Sequence, residues 1–245
     1  YYMLYSEPVQ AQLASMMGKG AYPSVNQKDV SQIQIPLPPL SVQEKVVTEI
    51  DRYQKIINGT KQITDNYLPA VSTSASWPVV KLGMVFKLAS GKGLPTKNRF
   101  DGPYNVYGGN GITGKHSEYF VDSPTLTIGR VGEYCGAAHI TSSKCWITDN
   151  ALMVTEYLTE VNPEYLEAII NQIDLNQYAK VGGQPSISQS TVYNVPIPLP
   201  NIDVQNSIAS QIRYEKSIIQ QNKKLAEIFV QKITDIINNV WGITK

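Results

Sequence analysis

Residues 22–50 of this 245-residue chain read YPSVNQKDVSQIQIPLPPLSVQEKVVTEI, and residues 184–212 read QPSISQSTVYNVPIPLPNIDVQNSIASQI. The two stretches align without a gap at a shift of 162 residues (22 onto 184). Pro23 falls on Pro185, Ser24 on Ser186, and both copies contain I-P-L-P. Because chance is a poor explanation for so many matches, the sequence predicts two copies of one structural unit.

Each copy joins a proline-rich exit to a predicted helix. A proline lacks the backbone N–H and pushes the residue before it toward extended geometry, so I-P-L-P cannot lie inside a helix. Ser41 in the first copy and Asp203 in the second are the predicted N-caps, since apolar residues then recur at helical spacing. We expect helices over residues 41–72 and 203–240.

The apolar residues of both predicted helices follow a 4-3 heptad seam. The seam residues are Val46, Ile50 and Ile57 in the first helix, and Ile208, Ile212, Ile219, Phe229, Ile233 and Ile236 in the second. A seam that lasts for several heptads indicates a coiled coil, and two such helices in one chain are expected to pair with each other. A single copy would favour an amphipathic helix on a globular body, but the duplication favours the pair.

Between the helices, from Trp77 to about Pro200, the sequence is typical of a compact mixed domain. Short β-rich runs cover residues 79–86, 125–128 and 151–155, and GGNGITG at residues 108–114 predicts a turn. A helix is predicted to start at Asn162-Pro163-Glu164 and to continue to about residue 175. The predicted fold class is therefore α+β, a mixed domain combined with two long helices.

Composition sets broad limits on the class of protein. The chain is 42% apolar and 17% charged, a composition that excludes a disordered chain. Its net charge of +1 does not by itself indicate a nucleic-acid partner. Two cysteines, Cys135 and Cys145, cannot form a disulfide framework. Without an apolar run of about 20 residues or a leader pattern, we expect a soluble cytoplasmic chain with no membrane partner.

This combination resembles the specificity subunit of type I restriction-modification enzymes. The doubled P-L-P followed by Gln43 and Gln205 carries the resemblance, together with five further motifs. They are the Trp77 opening with VVKLGMVFKLASGK, GGNGITG, TIGRVGEYCG at 127–136, WITDNA at 146–151 and GGQPSIS at 182–188. Each motif alone has low specificity for the family, but their order and the duplication are specific. The resemblance covers essentially the whole chain.

The resemblance implies a domain order. Residues 1–39 would be the C-terminal remnant of a first target recognition domain, 40–75 a first coiled-coil helix, 76–200 a complete recognition domain and 201–245 a second coiled-coil helix. In the family the two helices form an antiparallel coiled coil. Because the first recognition domain is represented only by its end, a longer protein and a half-length subunit that forms a homodimer both stay open.

The resemblance also implies a noncatalytic function in a restriction system. Such a chain reads one half of a bipartite site in double-stranded DNA and binds no cofactor itself. Its coiled coil docks modification (methyltransferase) subunits, which hold S-adenosylmethionine and methylate adenine at N6. A restriction/translocase subunit, which uses ATP and Mg²⁺, joins afterwards.

Candidate DNA contacts combine cations with polar groups in Gly-rich loops. Residues 77–130 carry seven basic and three acidic side chains, whereas residues 131–180 carry two basic and seven acidic ones. Basic loops bind phosphates or guanine edges, and asparagine pairs with adenine N6 and N7. The candidates are Lys92, Lys97, Arg99, Tyr107, Asn110, Lys115, Arg130, Gln184 and Ser186. For any single lysine a solvated surface is an equal alternative, and for Asn110 an ordinary hairpin turn.

Two other classes of function stay open. Asn162-Pro163-Glu164-Tyr165 echoes the N-P-P-Y signature of adenine-N6 DNA methyltransferases, although Asn at the N-cap and Pro at N1 are a complete helix start without that function. A coiled-coil adaptor that binds only protein is the second alternative.

Residues 109–114 match G-x-G-x-x-G formally, but no helix is predicted after them, so we interpret them as a turn. The cysteines and histidines lack zinc-site spacing.

Overall fold

A computed structural model of the chain describes residues 1–17, 24–180 and 182–243. Tyr22 and Pro23, which belong to the sequence repeat, lie outside the described residues. The chain divides into two units. The helical unit combines Tyr1–Tyr67 with Ser217–Lys245, and the globular unit spans Leu68–Lys216.

Six α-helices and nine strands are described. The helices are α1 Glu7–Met16, α2 Gln27–Ser31, α3 Leu40–Asn66, α4 Pro163–Ile173, α5 Gln189–Tyr193 and α6 Ile202–Val240. The strands are β1 Val79–Lys81, β2 Phe86–Ser90, β3 Tyr104–Gly108, β4 Gly111–His116, β5 Leu126–Gly129, β6 Ala138–Ile140, β7 Trp146–Ile147, β8 Ala151–Tyr157 and β9 Pro196–Pro198. The α+β prediction is confirmed.

The globular unit holds three small sheets. Strands β2, β8, β5 and β6 form a four-stranded antiparallel sheet in that order. The hairpin of β3 and β4 joins β7, which runs parallel to β3, and β1 pairs antiparallel with β9. The hairpin turn lies at Gly109 and Asn110, as the GGNGITG motif predicts.

Helix α4 packs its apolar face on the core of this unit. Leu166, Ile169 and Ile170 are buried with Leu126 and Leu152 of the four-stranded sheet. Removing these side chains from water is the main source of stability for such a unit. The sheet and the helix therefore form a fixed platform from which the connecting loops project.

The start of α4 confirms the helix-cap interpretation of the NPEY sequence. The Asn162 side-chain oxygen accepts hydrogen bonds from the N–H groups of Glu164 (2.9 Å) and Tyr165 (3.1 Å). Tyr165 is buried, and its hydroxyl donates to the Pro198 carbonyl at 2.7 Å. Burial raises the pKa of Tyr165 to about 12, so the hydroxyl keeps its proton. These residues are thus occupied in holding the fold.

The sequence duplication is also a structural one. At the shift of 162 residues α2 falls on α5, and the first residue of α3 falls on the first residue of α6. Gln43 donates from its amide to the Pro38 carbonyl at 2.8 Å, and Gln205 makes the same bond to Pro200 at 2.7 Å. The prediction of two copies of one unit is confirmed for this segment.

Three predicted helix limits were wrong. Helix α3 begins at Leu40 after Pro39, so Ser41 is not its N-cap. In α6 the side chain of Asn201, not of Asp203, accepts the capping bond, from the Val204 N–H at 3.0 Å. Helix α3 ends at Asn66 rather than near residue 72, because Pro69 disfavours helical geometry in the residue before it.

Helices α3 and α6 pack antiparallel in the helical unit, as expected. The Tyr53 and Phe229 rings lie 5.1 Å apart, while Ile50, earlier in α3, shares an apolar groove with Ile237, later in α6. Ile50 and Ile57 are buried. Val46 and the predicted seam residues of α6 in this unit are half-buried, namely Ile219, Phe229, Ile233 and Ile236.

Two predicted seam residues have another role. Ile212 is buried in the core of the globular unit, and Ile208 packs against that core. The expectation that they belong to the helix–helix seam is therefore corrected. The first turns of α6 belong to the globular unit, and the turns from residue 217 onward belong to the helical unit. The apolar residues of one heptad pattern therefore pack in the globular core at the start of α6 and in the helical unit further along.

The duplicated glutamines offer a matched test of the fold. Gln205 is 1% exposed, and its oxygen also accepts the Asn162 N–H at 3.0 Å. Gln205→Leu leaves that N–H and the Pro200 carbonyl unpaired, so we expect a loss of about 1–3 kcal/mol in the free energy of unfolding. Urea denaturation measures this, with the half-buried Gln43→Leu as the milder control. An equal loss for both variants would contradict the assigned bonds.

Candidate functional site

Loops from several strands meet at one edge of the globular unit because glycine removes the side chains between them. A Cβ on Gly129 would lie 2.0 Å from the Gly109 carbonyl oxygen, and one on Gly91 would lie 2.2 Å from the Thr148 carbonyl oxygen. Real Cβ contacts are never so short, so only glycine permits this approach. The ASGK, GGNGITG, TIGRVGEYCG and WITDNA motifs thereby come together.

A polar cleft, here named the loop cleft, lies among these loops. The residues that line it are Ser90, Arg130, Val131, Asp149, Asn150, Leu152, Lys180, Ser186, Ile187, Ser188, Gln189 and Ser190. Backbone bonds fix its walls, since Arg130 N–H donates to Asn150 O at 2.8 Å and Ile187 N–H donates to Arg130 O at 2.9 Å. The GGQPSIS motif thus forms one wall.

The loop cleft presents cations and carboxamides. Arg130 is exposed and donates from Nη1 to the Ser90 hydroxyl at 3.3 Å, and Lys180 is exposed nearby. Asn150 is exposed, and so is Gln184, whose amide nitrogen lies beside Gly132. Neither carboxamide has a hydrogen-bond partner within the described part of the chain. Asp149 is the acidic member of the cleft.

Asn110 lies on the hairpin turn next to this cleft. Its neighbour Gly109 is packed so closely that a Cβ there would lie 2.9 Å from the Val131 carbonyl and 3.3 Å from the Asn150 carbonyl. His139 supports the turn from beneath Gly111. Burial lowers the pKa of His139, which favours the neutral imidazole. Four of the nine predicted DNA contacts therefore lie close together in the structure, namely Asn110, Arg130, Gln184 and Ser186.

The predicted contact Lys92 lies beside a cluster of aromatic side chains. Lys92 places its ammonium 4.4 Å from the centre of the Phe120 ring, and the Trp146 indole donates to the Lys92 carbonyl at 2.9 Å. His116 lies 5.3 Å from Trp146 and 6.2 Å from Phe100, ring centre to ring centre. Lys92 is exposed and holds a cation–π contact, so its charge stays at the surface.

The three remaining predicted cations, Lys97, Arg99 and Lys115, lie on or just before the β3–β4 hairpin. Arg99 is half-buried and donates from Nη1 to the Thr113 carbonyl at 3.1 Å, which ties it to β4. Lys115 is exposed on β4, and Lys97 is exposed in a short 3₁₀ turn. Lys97 and Lys115 are thus open to a ligand, whereas Arg99 is partly used in supporting the strand.

Tyr107 is a structural residue. It is 6% exposed and packs in a small apolar cluster with Cys145, Ile147 and Ala151. Its hydroxyl accepts the Ser142 N–H at 2.8 Å. The expectation that Tyr107 contacts DNA is therefore corrected, because its polar end faces the interior of the protein. The next residue, Gly108, leads into the turn that contains the exposed Asn110. Buried and exposed residues are therefore only three positions apart in this hairpin.

Seven polar cleft residues were not among the predicted contacts, namely Ser90, Asp149, Asn150, Lys180, Ser188, Gln189 and Ser190. Asn150 belongs to WITDNA and Ser188 to GGQPSIS, both of which the sequence singles out as motifs. Lys180 stands alone in the sequence and joins the cleft through its N–H bond to Ser186 O at 2.9 Å. Only the fold brings it to the site.

The two cysteines of this unit are buried thiols. Burial raises the pKa of the Cys135 and Cys145 thiols, so neither is an activated nucleophile near neutral pH. Across residues 1–17, 24–180 and 182–243 there is no group of three or more His, Cys, Asp or Glu side chains that could hold a metal ion. No helix in this part of the chain is long and apolar enough to cross a membrane.

Comparison with known proteins identifies similar sequences and folds. A family model described as the type I restriction modification DNA specificity domain matches residues 1–66 and 75–228. The specificity subunit of the Escherichia coli type I restriction enzyme EcoprrI is 28% identical over 134 residues. That alignment covers 53% of this chain and 33% of the E. coli subunit, so the similar region is about a third of its relative's length.

Two solved structures share the fold. The S subunit of a type I restriction-modification system from M. genitalium superposes with a TM-score of 0.64 at 16% identity, covering 98% of this chain and 71% of that one. A structure described as the basis of complex assembly and conformational transition of the type I R-M system gives 0.62 at 17% identity, covering 100% and 70%.

Gly129→Ala tests the close approach of the loops. We expect it to lower the free energy of unfolding by about 1–3 kcal/mol, because the new methyl group collides with the Gly109 carbonyl. The control is Gly59→Ala in α3, which meets nothing within 4 Å and should stabilise by about 0.5–1 kcal/mol. Thermal unfolding followed by circular dichroism compares them. Unchanged stability in Gly129→Ala would exclude the contact.

Proposed function

We propose that this chain, which belongs to the type I restriction-modification DNA specificity family, recognises one half of a bipartite DNA site and performs no catalysis itself. The observation that carries the proposal is the loop cleft. There Arg130, Lys180 and the unpartnered carboxamide of Asn150 are exposed together.

The side chains of the cleft suit the edges of base pairs. Asn and Gln bind adenine through N6 and N7, and Arg binds guanine through O6 and N7, each with two hydrogen bonds. A carboxamide without a partner inside the protein keeps both its donor and its acceptor for a base. Asn110, Asn150 and Gln184 are exposed in this way, so we assign them to base recognition.

The cations around the cleft suit the phosphate backbone. Phosphate contacts set the position of a protein on DNA, whereas base contacts set the sequence that it reads. We assign the exposed cations to phosphates, namely Lys92, Lys97, Lys115, Arg130 and Lys180. Arg99 contributes its charge from a half-buried position. With a net charge of only +1, DNA attraction depends on this local cluster.

We further propose the domain order that the family implies. Residues 76–200 form the DNA-reading domain, residues 1–39 belong to another domain of the same type, and residues 40–75 and 201–245 supply the helix pair. Helix α3 is about 40 Å long and α6 about 58 Å, since a helix rises 1.5 Å per residue. Such a rod can separate two half-sites and dock the modification subunits.

The partners carry the chemistry in this proposal. Modification subunits bind S-adenosylmethionine and methylate adenine, and the restriction subunit uses ATP and Mg²⁺. The competing proposal, that this chain is itself an adenine methyltransferase, has lost its support. Its one motif is occupied, because Asn162 caps α4 and Tyr165 donates to the Pro198 carbonyl.

Methylation of host DNA tests the proposed function. We expect N6-methyladenine at a bipartite motif only when this chain is co-expressed with its modification subunit. Asn150→Ala should abolish or relax methylation at one half of the motif, since it removes a base contact. The control is Gln177→Ala, whose carboxamide donates to the Ile173 carbonyl at 2.6 Å. A motif unchanged by Asn150→Ala would remove Asn150 from recognition, and methylation independent of the chain would refute the function.

Salt dependence tests the phosphate contacts separately. Arg130→Ala with Lys180→Ala should reduce the slope of log K against log salt by about 1.8, since each phosphate contact contributes about 0.9. The assembled complex should be titrated with its DNA by fluorescence anisotropy. Lys87→Ala is the control, because Lys87 is paired with Glu156 at 2.6 Å. An equal slope in the double variant and in the control would place the cleft outside the DNA interface.

A further inference from the structure

The loop between β2 and β3 carries an exposed phenylalanine among cations. Residues 91–100 contain Lys92, Lys97 and Arg99 and no acidic residue, and Asp101 follows them. Phe100 is 62% exposed, whereas the other three phenylalanines of the chain are buried or half-buried. An exposed phenyl ring is unfavourable in water. A ring next to cations suits a partner that offers both negative charge and apolar surface, as DNA does with its phosphates and stacked bases.

This loop begins at the loop cleft. Ser90 lines the cleft, and the next residue, Gly91, donates from its N–H to the Ala151 carbonyl at 3.1 Å. The Lys92 N–H donates to the Ile147 carbonyl at 2.9 Å. The loop is therefore a direct continuation of the surface that we assign to DNA.

The end of the loop is held against β4. Arg99 donates to the Thr113 carbonyl at 3.1 Å, and the Phe100 N–H donates to Nδ1 of His116 at 3.2 Å. His116 is only 3% exposed, and its ring plane lies at 22° to that of Phe100. A Cβ on Gly102 would lie 2.4 Å from the His116 carbonyl oxygen, so the chain passes very close to β4 there. The Phe100 ring is thus exposed on a fixed backbone, which lowers the entropy cost of binding through it.

The length of β4 separates Phe100 from Asn110. The five residue steps from Gly111 to His116 span about 17 Å, because a strand rises about 3.3 Å per residue. Half a turn of B-DNA is also about 17 Å, and the two grooves alternate along one side of the duplex at that interval. If β4 follows the DNA axis while Asn110 reads a base in the major groove, Phe100 meets the minor groove.

We propose that Phe100 enters the minor groove about half a turn from the base pair that Asn110 reads, where its ring inserts between two base pairs and bends the DNA. Apolar side chains that insert at the minor groove unstack the bases and bend the duplex by about 20–90°. The exposed Lys97 binds a neighbouring phosphate. This inference rests on the proposed function and adds to it a contact that senses the deformability of DNA rather than the identity of one base.

The DNA bend tests the inference. The assembled complex of this chain with its modification subunits is titrated with a duplex that carries the motif methylated in host DNA and a fluorescence energy-transfer pair at its ends. We expect a bend of at least about 20° with the native chain. Phe100→Ala should reduce the bend and weaken binding about tenfold, the order of effect expected when one aromatic stacking partner is lost. Phe100→Leu should retain most of the bend, since leucine is also an apolar wedge.

A fluorescent base locates the insertion. 2-Aminopurine is placed at successive positions in and beside the half-site, and its fluorescence should rise where the bases unstack. We expect the rise about half a turn from the base pair whose identity Asn110→Ala relaxes, and we expect it to vanish with Phe100→Ala. A rise at the same step in both the native chain and Phe100→Ala would overturn the inference.

The controls separate this inference from the proposed function. Met84→Ala changes an apolar residue outside the loop that is 67% exposed, and it should leave the bend and the affinity unaltered. A native complex that binds its motif without a bend overturns the inference and leaves the proposed function intact, as does a Phe100→Ala variant with native bend and affinity. A Phe100→Ala variant that loses only its assembly with the modification subunits makes Phe100 a protein contact and overturns the inference too. Absence of motif-specific binding by the native complex refutes the proposed function, and the inference with it.

Discussion

The antiparallel pairing of Val79–Lys81 with Pro196–Pro198 is the constraint on which the globular unit depends. It joins the strand that enters the unit to the strand that leaves it, so every loop between them is held between two fixed ends. The Tyr165 hydroxyl binds Pro198 from α4, and Gln205 binds Pro200 at the start of α6. One short ribbon thereby fixes the core helix and the long helix. Ile197 and Leu199 face β1, so Pro196 and Pro198 lie on the opposite edge of the ribbon, where they have no N–H to donate to a further strand.

The loop cleft follows from close backbone contacts that glycine permits. Gly91 and Gly129 have no side chains at positions where a methyl group would strike a carbonyl oxygen. The loops therefore stack with their backbones bonded to one another, and the side chains of Arg130, Asn150 and Lys180 turn outward. A surface built in this way can vary in its exposed side chains while its backbone frame stays the same.

Duplicated sequence does not produce duplicated environments. Ile35 and Ile197 occupy the same place in the repeat, yet one is half exposed and the other is fully buried. The capped short helices, the glutamine bonds and the starts of the long helices agree between the copies, because each depends on residues within a few positions of one another. Burial differs, because it depends on the strand β1 and the sheet, which the described residues provide for only one copy.

The sequence by itself determined the features that local rules control. The repeat, the extended proline exit, the helix start at Asn162, the turn at residues 108–114 and the apolar seam of the long helices are all predictable from proline geometry, capping and periodicity. The predicted caps at Ser41 and Asp203 were each two residues too late, because α3 follows Pro39 without a side-chain cap bond and Asn201 supplies the cap of α6. Only the tertiary structure decided that Tyr107 faces the interior, that Ile208 and Ile212 join the globular core, and that Lys180 and Asn150 share a cleft. Those choices depend on residues that are distant in the chain and adjacent in space, and no short stretch of sequence contains them.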